Sequence, residues 1–294
     1  MRKVWIEAAL NGPWSRRLQP GIPDTVEAIV AEGVACARAG ATIVHLHAYD
    51  GGGPQTYDWQ VYARIIEGIR NEIDVPVYPS FEPLMLADVN ADAADASVRF
   101  AHVEQLVARG LIEFAIADPD SINFTQTTTT STAAPAGTYL NPESHTRHAL
   151  TFAARHGLHT DLAIYEPGFL RAGAALARAA GARVPIYRFM FCEKMAVGFP
   201  PRAYALEAYL ALLDEEARGA PWMIAGVSAD IRPLIGETVR RGGHIRVGLE
   251  DAPLGTRATN SDLVEEAVRM VRDHGAEPAS PAEMRQALAA VTSA

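Results

Sequence analysis

The feature that most constrains the fold is a regular alternation, along the whole chain, of short β-branched runs with longer amphipathic stretches. The short runs predict eight strands, at residues 4–11, 42–47, 75–80, 112–117, 160–165, 186–191, 222–225 and 244–248. The longer stretches between them predict eight helices, at residues 25–39, 59–72, 94–109, 142–156, 169–181, 203–216, 231–241 and 262–274. This alternation is typical of parallel βα units. Eight such units predict a closed (β/α)8 TIM barrel.

Capping residues support these boundaries. Asp24 precedes the first helix with Glu27 as its capping partner, and glycines follow four helix ends (Gly40, Gly110, Gly181 and Gly242). An extra C-terminal helix is expected at residues 280–291, capped by Ser280. A doubly wound open sheet has the same rhythm, but no glycine fingerprint for phosphate follows the first strand, which favours the barrel. One domain over residues 1–294 is expected, because α/β barrels of about 250 residues fold as single units.

Composition narrows the functional classes. The chain has 26 basic and 35 acidic residues, a net charge of −9, without a basic stripe, so nucleic acid is not an expected partner. No apolar run approaches the roughly 18 residues of a membrane helix, and no signal-peptide core is recognisable, so a cytoplasmic protein is expected. The two cysteines exclude a disulfide framework, and Cys36 is expected to be buried in a helix. The low-complexity segment at residues 125–139 predicts either a solvated loop or a lid over a substrate site.

The strongest local signal for chemistry is the pair His45 and His47 at the end of the apolar run GATIVHLH. Residues two apart in a strand point to the same side, so both imidazoles can bind one ion. Zinc accepts such nitrogens, and a catalytic zinc site usually has three protein ligands with one open position. The alternative is that the histidines are buried structural residues. The carboxyl ends of barrel strands are, however, where catalytic residues are expected.

A third ligand is available at the end of the last predicted strand, in HIRVGLED. Glu250 would complete a metal site with two histidines and one glutamate. Asp251 would then be free to act as a general base, held by the nearby charge of Arg246. The alternative is a solvated turn or a helix start, for which a Glu-Asp pair is also common.

In these segments the chain resembles the β-keto acid cleavage enzymes over nearly its whole length. The resemblance is carried by EAALNG (7–12), ACARAGATIVHLHAYD (35–50), SINF (121–124), IYEPG (164–168), GGHIRVGLED (242–251) and ATNSDLVEEAVRM (258–270). It implies a TIM barrel, usually a homotetramer, with one divalent metal, normally zinc, at His45, His47 and Glu250. It also implies that a β-keto acid and acetyl-CoA give acetoacetate and a new acyl-CoA. Asp251 matches the general base and Arg246 its charged partner, and Ser80 matches a serine beside the substrate.

This chemistry suits the residues. The carboxylate and ketone oxygens of a β-keto acid would bind an open metal position as a chelate, with the ion as Lewis acid and template. Asp251 would remove the proton between the two carbonyls, and the resulting carbon nucleophile would attack the acetyl thioester. The released CoA thiolate would then split the original ketone by retro-Claisen cleavage.

The chain departs from the family's 3-keto-5-aminohexanoate-cleaving members in the substrate pocket. Pro13-Trp14 stands where those members have an acidic residue that receives the amino group, and Ala163 replaces a charged residue. Four residues are expected to line the altered pocket: Trp14, Tyr49, Phe81 and Glu82. The aromatic rings would pack an apolar acyl chain or, with Glu82, surround a quaternary ammonium. The sequence leaves both readings, and the identity of the β-keto acid, open.

Basic residues in loops after predicted strands are candidates for binding the CoA nucleotide: Arg16, Arg17, Lys194 and Arg202. Two other functions remain as alternatives. A zinc-dependent barrel hydrolase also uses an H-x-H pair, but on its first strand and with further histidines. A non-catalytic barrel that binds CoA or a metabolite would be expected to lack one of the three ligand candidates, all of which are present.

Overall fold

The computed structural model describes residues 1–51, 53–85, 95–125 and 137–292. Eight parallel strands form the main sheet: β1 (Ile6–Ala9), β2 (Ile43–Leu46), β3 (Val77–Pro79), β4 (Phe114–Ile116), β5 (His159–Ile164), β6 (Ile186–Phe191), β7 (Trp222–Gly226) and β8 (His244–Val247). Consecutive strands are hydrogen-bonded neighbours from β4 to β8, β8 pairs with β1, and the series continues to β3. β3 and β4 complete the ring, with Cα atoms within 8 Å. The predicted TIM barrel is confirmed.

The described helices surround this ring: α1 (Val26–Ala39), α2 (Trp59–Glu72), α3 (Ala96–Arg99), α4 (Ala101–Ala108), α5 (Glu143–His156), α6 (Pro167–Ala180), α7 (Ala203–Glu216), α8 (Arg232–Arg241), α9 (Asn260–Asp273) and α10 (Pro281–Thr292). The single helix predicted at residues 94–109 is wrong, because the chain breaks into α3 and α4 at Phe100. Residue 94 itself lies outside the described residues. The predicted C-terminal helix is confirmed as α10.

Most of the predicted caps are confirmed, with one correction. Gly40, Gly181 and Gly242 adopt left-handed conformations that end their helices. The cap of α1, however, is Thr25 rather than Asp24, because the Thr25 hydroxyl accepts the amide hydrogen of Ala28. Asp24 instead pairs with Arg16 at 3.1 Å.

The apolar core lies between the barrel strands and the helices. Ile6, Val44 and Ile224 are fully buried on the strands, and Cys36 is buried on α1 as predicted. Burying these aliphatic side chains between the two layers is the main force that holds a barrel together. None of the described helices has the length and apolar character needed to cross a bilayer.

Two small sheets, neither of them predicted, extend the barrel. At its carboxyl end, Gly137–Leu140 pairs antiparallel with both Leu84–Met85 and Ile122–Phe124. At its amino end, Lys3–Val4 pairs with Glu277–Pro278. The segment predicted as a loop or lid, residues 125–139, is described only at its two ends, since residues 126–136 lie outside the described residues. The first of these sheets builds part of the wall of the site described below.

Candidate active site

The two predicted metal-binding histidines lie together at the carboxyl end of β2. His45 is in the strand and His47 follows it, and their ring centroids are 5.4 Å apart. Asn11 fixes the backbone at this point: its amide donates to the His47 carbonyl and its oxygen accepts the His47 amide hydrogen, both at 2.9 Å. The alternation of side chains along a strand therefore brings both imidazoles to one side, as the sequence predicts.

Glu250 reaches these histidines from the turn after β8. Its carboxylate oxygens lie 3.4 Å from His45 Nε2 and 3.6 Å from His47 Nε2. Two glycines permit this approach. A Cβ at Gly12 would lie 2.5 Å from Glu250 Cγ, and a Cβ at Gly248 would lie 2.1 Å from the Ala9 carbonyl oxygen. Both glycines also adopt positive φ values, of 62° and 142°, that other residues rarely adopt.

The ligand atoms of His45, His47 and Glu250 all lie within 4.8 Å of one another. Glu250 Oε2 is buried and has no hydrogen-bond partner among the residues that the structure describes. A buried carboxylate oxygen without a partner is costly in free energy unless something binds it. Two imidazole nitrogens and one carboxylate oxygen form a donor set that zinc accepts. These three residues therefore fit a divalent metal.

Arg246 organises the carboxylates of the site. Its guanidinium bonds both oxygens of Asp251, at 2.8 and 3.0 Å, and also contacts Glu250 at 2.6 Å and Glu7 at 3.1 Å. Burial raises the pKa of Glu250, but Arg246 and the two histidines outweigh burial and hold this pKa below its usual range. Burial lowers the pKa of His45 well below its usual value. His45 is therefore neutral and Glu250 ionised near pH 7, which are the states that bind a metal.

Asp251 differs from the neighbouring Glu250 in the direction of its pKa shift. Burial raises its pKa to about 7, although Arg246 opposes the shift. A carboxyl group with a pKa near the working pH can both accept and return a proton. The predicted pairing of Arg246 with Asp251 is thus present, and the pair lies beside the three candidate ligands.

A second polar layer lies beneath the site, inside the barrel. The Tyr78 hydroxyl is 2.6 Å from Glu7 Oε1 and 3.0 Å from Asp161 Oδ2, and Arg188 lies 3.5 Å from Asp161. The Tyr78 hydroxyl can donate its single proton to only one of these two carboxyl groups. Both contacts become hydrogen bonds if Glu7 or Asp161 is itself protonated. Accordingly, burial raises the pKa of Glu7 to about 8 despite the opposing charge of Arg246. This layer supports Arg246 from below.

A cavity of about 340 Å³ opens above the histidines at the carboxyl end of the barrel. It brings together eight of the ten predicted site residues: His45, His47, Arg246, Glu250, Asp251, Ser80, Trp14 and Phe81. Trp14 also donates its indole hydrogen to the Glu250 carbonyl at 2.7 Å, which links the cavity to the turn that carries Glu250. Ser80 is buried beside the cavity, with its hydroxyl 3.3 Å from the Phe81 carbonyl.

The other two predicted pocket residues lie elsewhere. Tyr49 is buried and donates its hydroxyl hydrogen to the Gly12 carbonyl at 2.7 Å, and Glu82 is exposed; neither lines the cavity. The four basic candidates for CoA binding lie in loops at the carboxyl end of the barrel, and their role stays a prediction. Arg16 pairs with Asp24 at 3.1 Å and Arg202 with Glu193 at 2.8 Å.

Sequence reasoning missed several residues that line the cavity: Asp118, Phe124, Tyr139, Tyr165 and Arg188. Two of them carried a usable signal. Asp118 follows β4 at the carboxyl end of the ring, the same position that drew attention to Glu250. Arg188 is a charged residue within the otherwise apolar strand IYRFMF of β6. Phe124 and Tyr165 lie within the segments SINF and IYEPG, which indicated the family but not a place in the pocket, and Tyr139 carried no signal.

The family model for beta-keto acid cleavage enzymes matches residues 3–289. The chain belongs to this family. A 3-keto-5-aminohexanoate cleavage enzyme from Fusobacterium nucleatum is 27% identical over 98% of this chain and 98% of its own length. A 3-dehydrocarnitine:acetyl-CoA trimethylamine transferase from Rhizobium meliloti is 26% identical over 98% of this chain and 96% of its own. The resemblance read from the sequence is thereby confirmed.

Among solved structures, the apo form of ObcA superposes with a TM-score of 0.70 at 16% identity. The match covers 92% of this chain and 66% of ObcA. At this level of identity the likeness supports the barrel fold alone.

Proposed function

We propose that this protein cleaves a β-keto acid with acetyl-CoA, at a zinc centre held by His45, His47 and Glu250, to give acetoacetate and a new acyl-CoA. The observation that carries the proposal is the convergence of three metal-ligand atoms within 4.8 Å, at a cavity that also contains the Arg246–Asp251 pair. Membership of the family, and relatives named for cleavage or for acetyl-CoA-dependent transfer, support the reaction class.

His45, His47 and Glu250 would hold the ion, with Arg246 bonded to Glu250 Oε1 at 2.6 Å. When bound, a divalent metal supplies Lewis-acid polarisation of a ketone oxygen and a template for two substrate oxygens. The residues' own contribution is preorganisation, since the Arg246 and Asn11 contacts fix the ligand positions in advance.

Asp251 is the proposed general base. It takes the proton from the carbon between the two carbonyls, and the carbon nucleophile so formed attacks the acetyl carbonyl and releases CoA thiolate. The thiolate then attacks the original ketone, the carbon–carbon bond breaks, and Asp251 returns the proton to the acetoacetate carbon. Arg246 holds both Asp251 oxygens in place throughout, and each oxygen keeps a lone pair for the proton.

Ser80 and the aromatic side chains have a positioning role in this proposal. Ser80 lies next to the histidines on the neighbouring strand end, where its hydroxyl can bond a substrate oxygen. Trp14 and Phe81 line the cavity, and a substrate packed against them would exclude water and so strengthen the charge interactions within it.

An isotope experiment tests the proposal. Zinc-loaded protein is incubated with a panel of β-keto acids and acetyl-CoA labelled with ¹³C in both acetyl carbons, and the products are identified by mass spectrometry. The expected result is acetoacetate that carries both labels and an unlabelled acyl-CoA from each accepted substrate. Hydrolysis without acetyl-CoA would instead support the hydrolase alternative, and the absence of any turnover would contradict the proposal.

The proposal extends to the organisation of the protein. A single domain over residues 1–294, a homotetramer and a cytoplasmic location stay predictions. Light scattering of the purified protein would measure the mass of the assembly, and a monomer would contradict the tetramer.

A further inference from the structure

Asp118 stands on the wall of the cavity that faces the proposed metal ligands. It is the second residue after β4, while Glu250 follows β8. In a ring of eight strands, β4 and β8 are diametrically opposite. Both residues line the same cavity, so a substrate bound at the ligands through its carboxylate and ketone extends its tail toward Asp118.

The Asp118 carboxylate is buried and keeps unused hydrogen-bond acceptor capacity. Asp118 is 7% exposed, and its Oδ2 accepts the Tyr139 hydroxyl hydrogen at 2.7 Å. Oδ1 is buried and has no hydrogen-bond partner among the described residues. Burial raises the pKa of Asp118 to about 6, while Tyr139, Arg99 and the Ala163 amide oppose the shift. Near pH 7 to 8 the group is therefore mainly an anion, and Oδ1 can still accept a hydrogen bond from a donor in the cavity.

The surroundings of Asp118 suit an organic cation. Phe124 stacks on Tyr139 at 6.4 Å and meets Tyr165 edge-on at 5.8 Å, and all three rings line the cavity. Aromatic faces attract ammonium groups. The alternative place for a cation, beside Phe81 and Glu82, is less suitable. The guanidinium of Arg99 already lies 4.6 Å from the Phe81 ring centre, and Glu82 is exposed outside the cavity.

We propose that Asp118 determines specificity and selects β-keto acids whose tail ends in a protonated amine with at least one N–H. This inference rests on the proposed function, because it assumes that the other end of the substrate binds at the ligands. An N–H⁺ donor satisfies Oδ1 and adds charge attraction. A methyl tail leaves Oδ1 unpaired, a quaternary ammonium offers no donor, and an acidic tail is repelled.

The test uses four β-keto acids of matched length whose tails end in a primary amine, a hydroxyl, a methyl or a trimethylammonium group. The value of kcat/KM with acetyl-CoA is measured for each with the wild-type protein. We expect the amine to exceed the methyl tail by about 30-fold or more. Turnover led by any other tail would overturn this inference and leave the proposed function intact. No turnover of any of the four would overturn both.

Asp118→Asn sharpens the test, because it keeps the volume and an acceptor for Tyr139 but removes the charge. We expect kcat/KM for the amine tail to fall about 10- to 100-fold while that for the methyl tail changes less than threefold. Asp120→Asn, on an exposed residue two positions away, is the matched control and should leave all four values unchanged. If Asp118 only balances the buried charge of Arg99, Asp118→Asn will lower all four values by the same factor, which would contradict the proposal. Should this variant fail to fold, the wild-type ranking still decides.

Discussion

The two opposite walls of the cavity are built differently. The metal wall, formed by His45, His47, Arg246, Glu250 and Asp251, comes from the ends of β2 and β8, and charged contacts fix its side chains. The tail wall, formed by Asp118, Phe124, Tyr139 and Tyr165, comes from loops and a small sheet. It contains one carboxylate, bonded by Tyr139, and rings that pack on one another. Rigid strand ends suit the chemical step, and loops suit the choice of substrate. Changes to the metal wall should therefore affect all substrates alike, and changes to the tail wall should re-rank them.

The largest effect is expected from the ligands themselves. Replacing His47 with alanine, or Glu250 with glutamine, removes one of the three proposed ligands and should lower turnover of every accepted β-keto acid by about 10³-fold or more. Bound zinc, measured by mass spectrometry after dialysis, should fall in parallel. His156→Ala, on an exposed histidine far along the chain, is the control and should retain both metal and activity. A Glu250→Gln variant with normal metal content and a normal rate would contradict the proposed role of the metal wall.

Asp251→Asn tests the base separately from the metal. The amide keeps an acceptor for Arg246 but cannot take a proton, so kcat should fall about 10²- to 10³-fold for all substrates. Zinc content should stay close to that of the wild type, because Asp251 is not a proposed ligand. If the loss differed strongly between substrates, Asp251 would belong to substrate selection rather than to the common chemistry.

Tyr78→Phe tests whether the metal wall depends on the layer beneath it. The change leaves oxygens of Glu7 and Asp161 without their shared donor inside the barrel. We expect the free energy of unfolding, measured in urea, to fall by about 2 kcal/mol. Tyr204→Phe, at a residue 61% exposed, should change it by less than about 0.5 kcal/mol. Equal stabilities of the two variants would show that the layer does not support the site.

The smallest effect is expected on the tail wall, from Phe124→Leu. This change removes a ring that packs on Tyr139, the hydrogen-bond partner of Asp118, and leaves the proposed ligands and Arg246 unchanged. Steady-state kinetics should give a loss of about three- to tenfold in kcat/KM for an amine-tailed substrate, with little change for a methyl tail. Zinc content should be unaffected. An equal loss of kcat/KM for all substrates would contradict the claim that the tail wall selects the substrate.

The same contrast explains how much the sequence could predict. The metal wall could be predicted from the sequence because two local rules suffice. Side chains two apart in a strand point to the same side, and catalytic residues are expected at the carboxyl ends of barrel strands. His45 and His47 obey the first rule, and Glu250 and Asp251 the second. The eight strands could also be predicted, since their β-branched runs are bounded by helices with recognisable caps.

The tail wall could not be predicted from the sequence, for physical reasons. Tyr139 and Phe124 reach the cavity through a sheet with strands of two to four residues, too short for a periodic pattern. Asp118 carries a strand-end signal, but its significance depends on burial and on an unpaired oxygen, which only tertiary structure creates. The break between α3 and α4 at Phe100 has no local sequence signal, since neither glycine nor proline stands there.

The most direct test of the central claim is anomalous X-ray diffraction from crystals of the zinc-loaded protein, recorded on both sides of the zinc absorption edge. The account predicts one peak per chain, coordinated by His45, His47 and Glu250, with imidazole nitrogens at about 2.0 to 2.1 Å. A zinc ion bound elsewhere while these three side chains point apart, or crystals of fully active protein without such a peak, would contradict it.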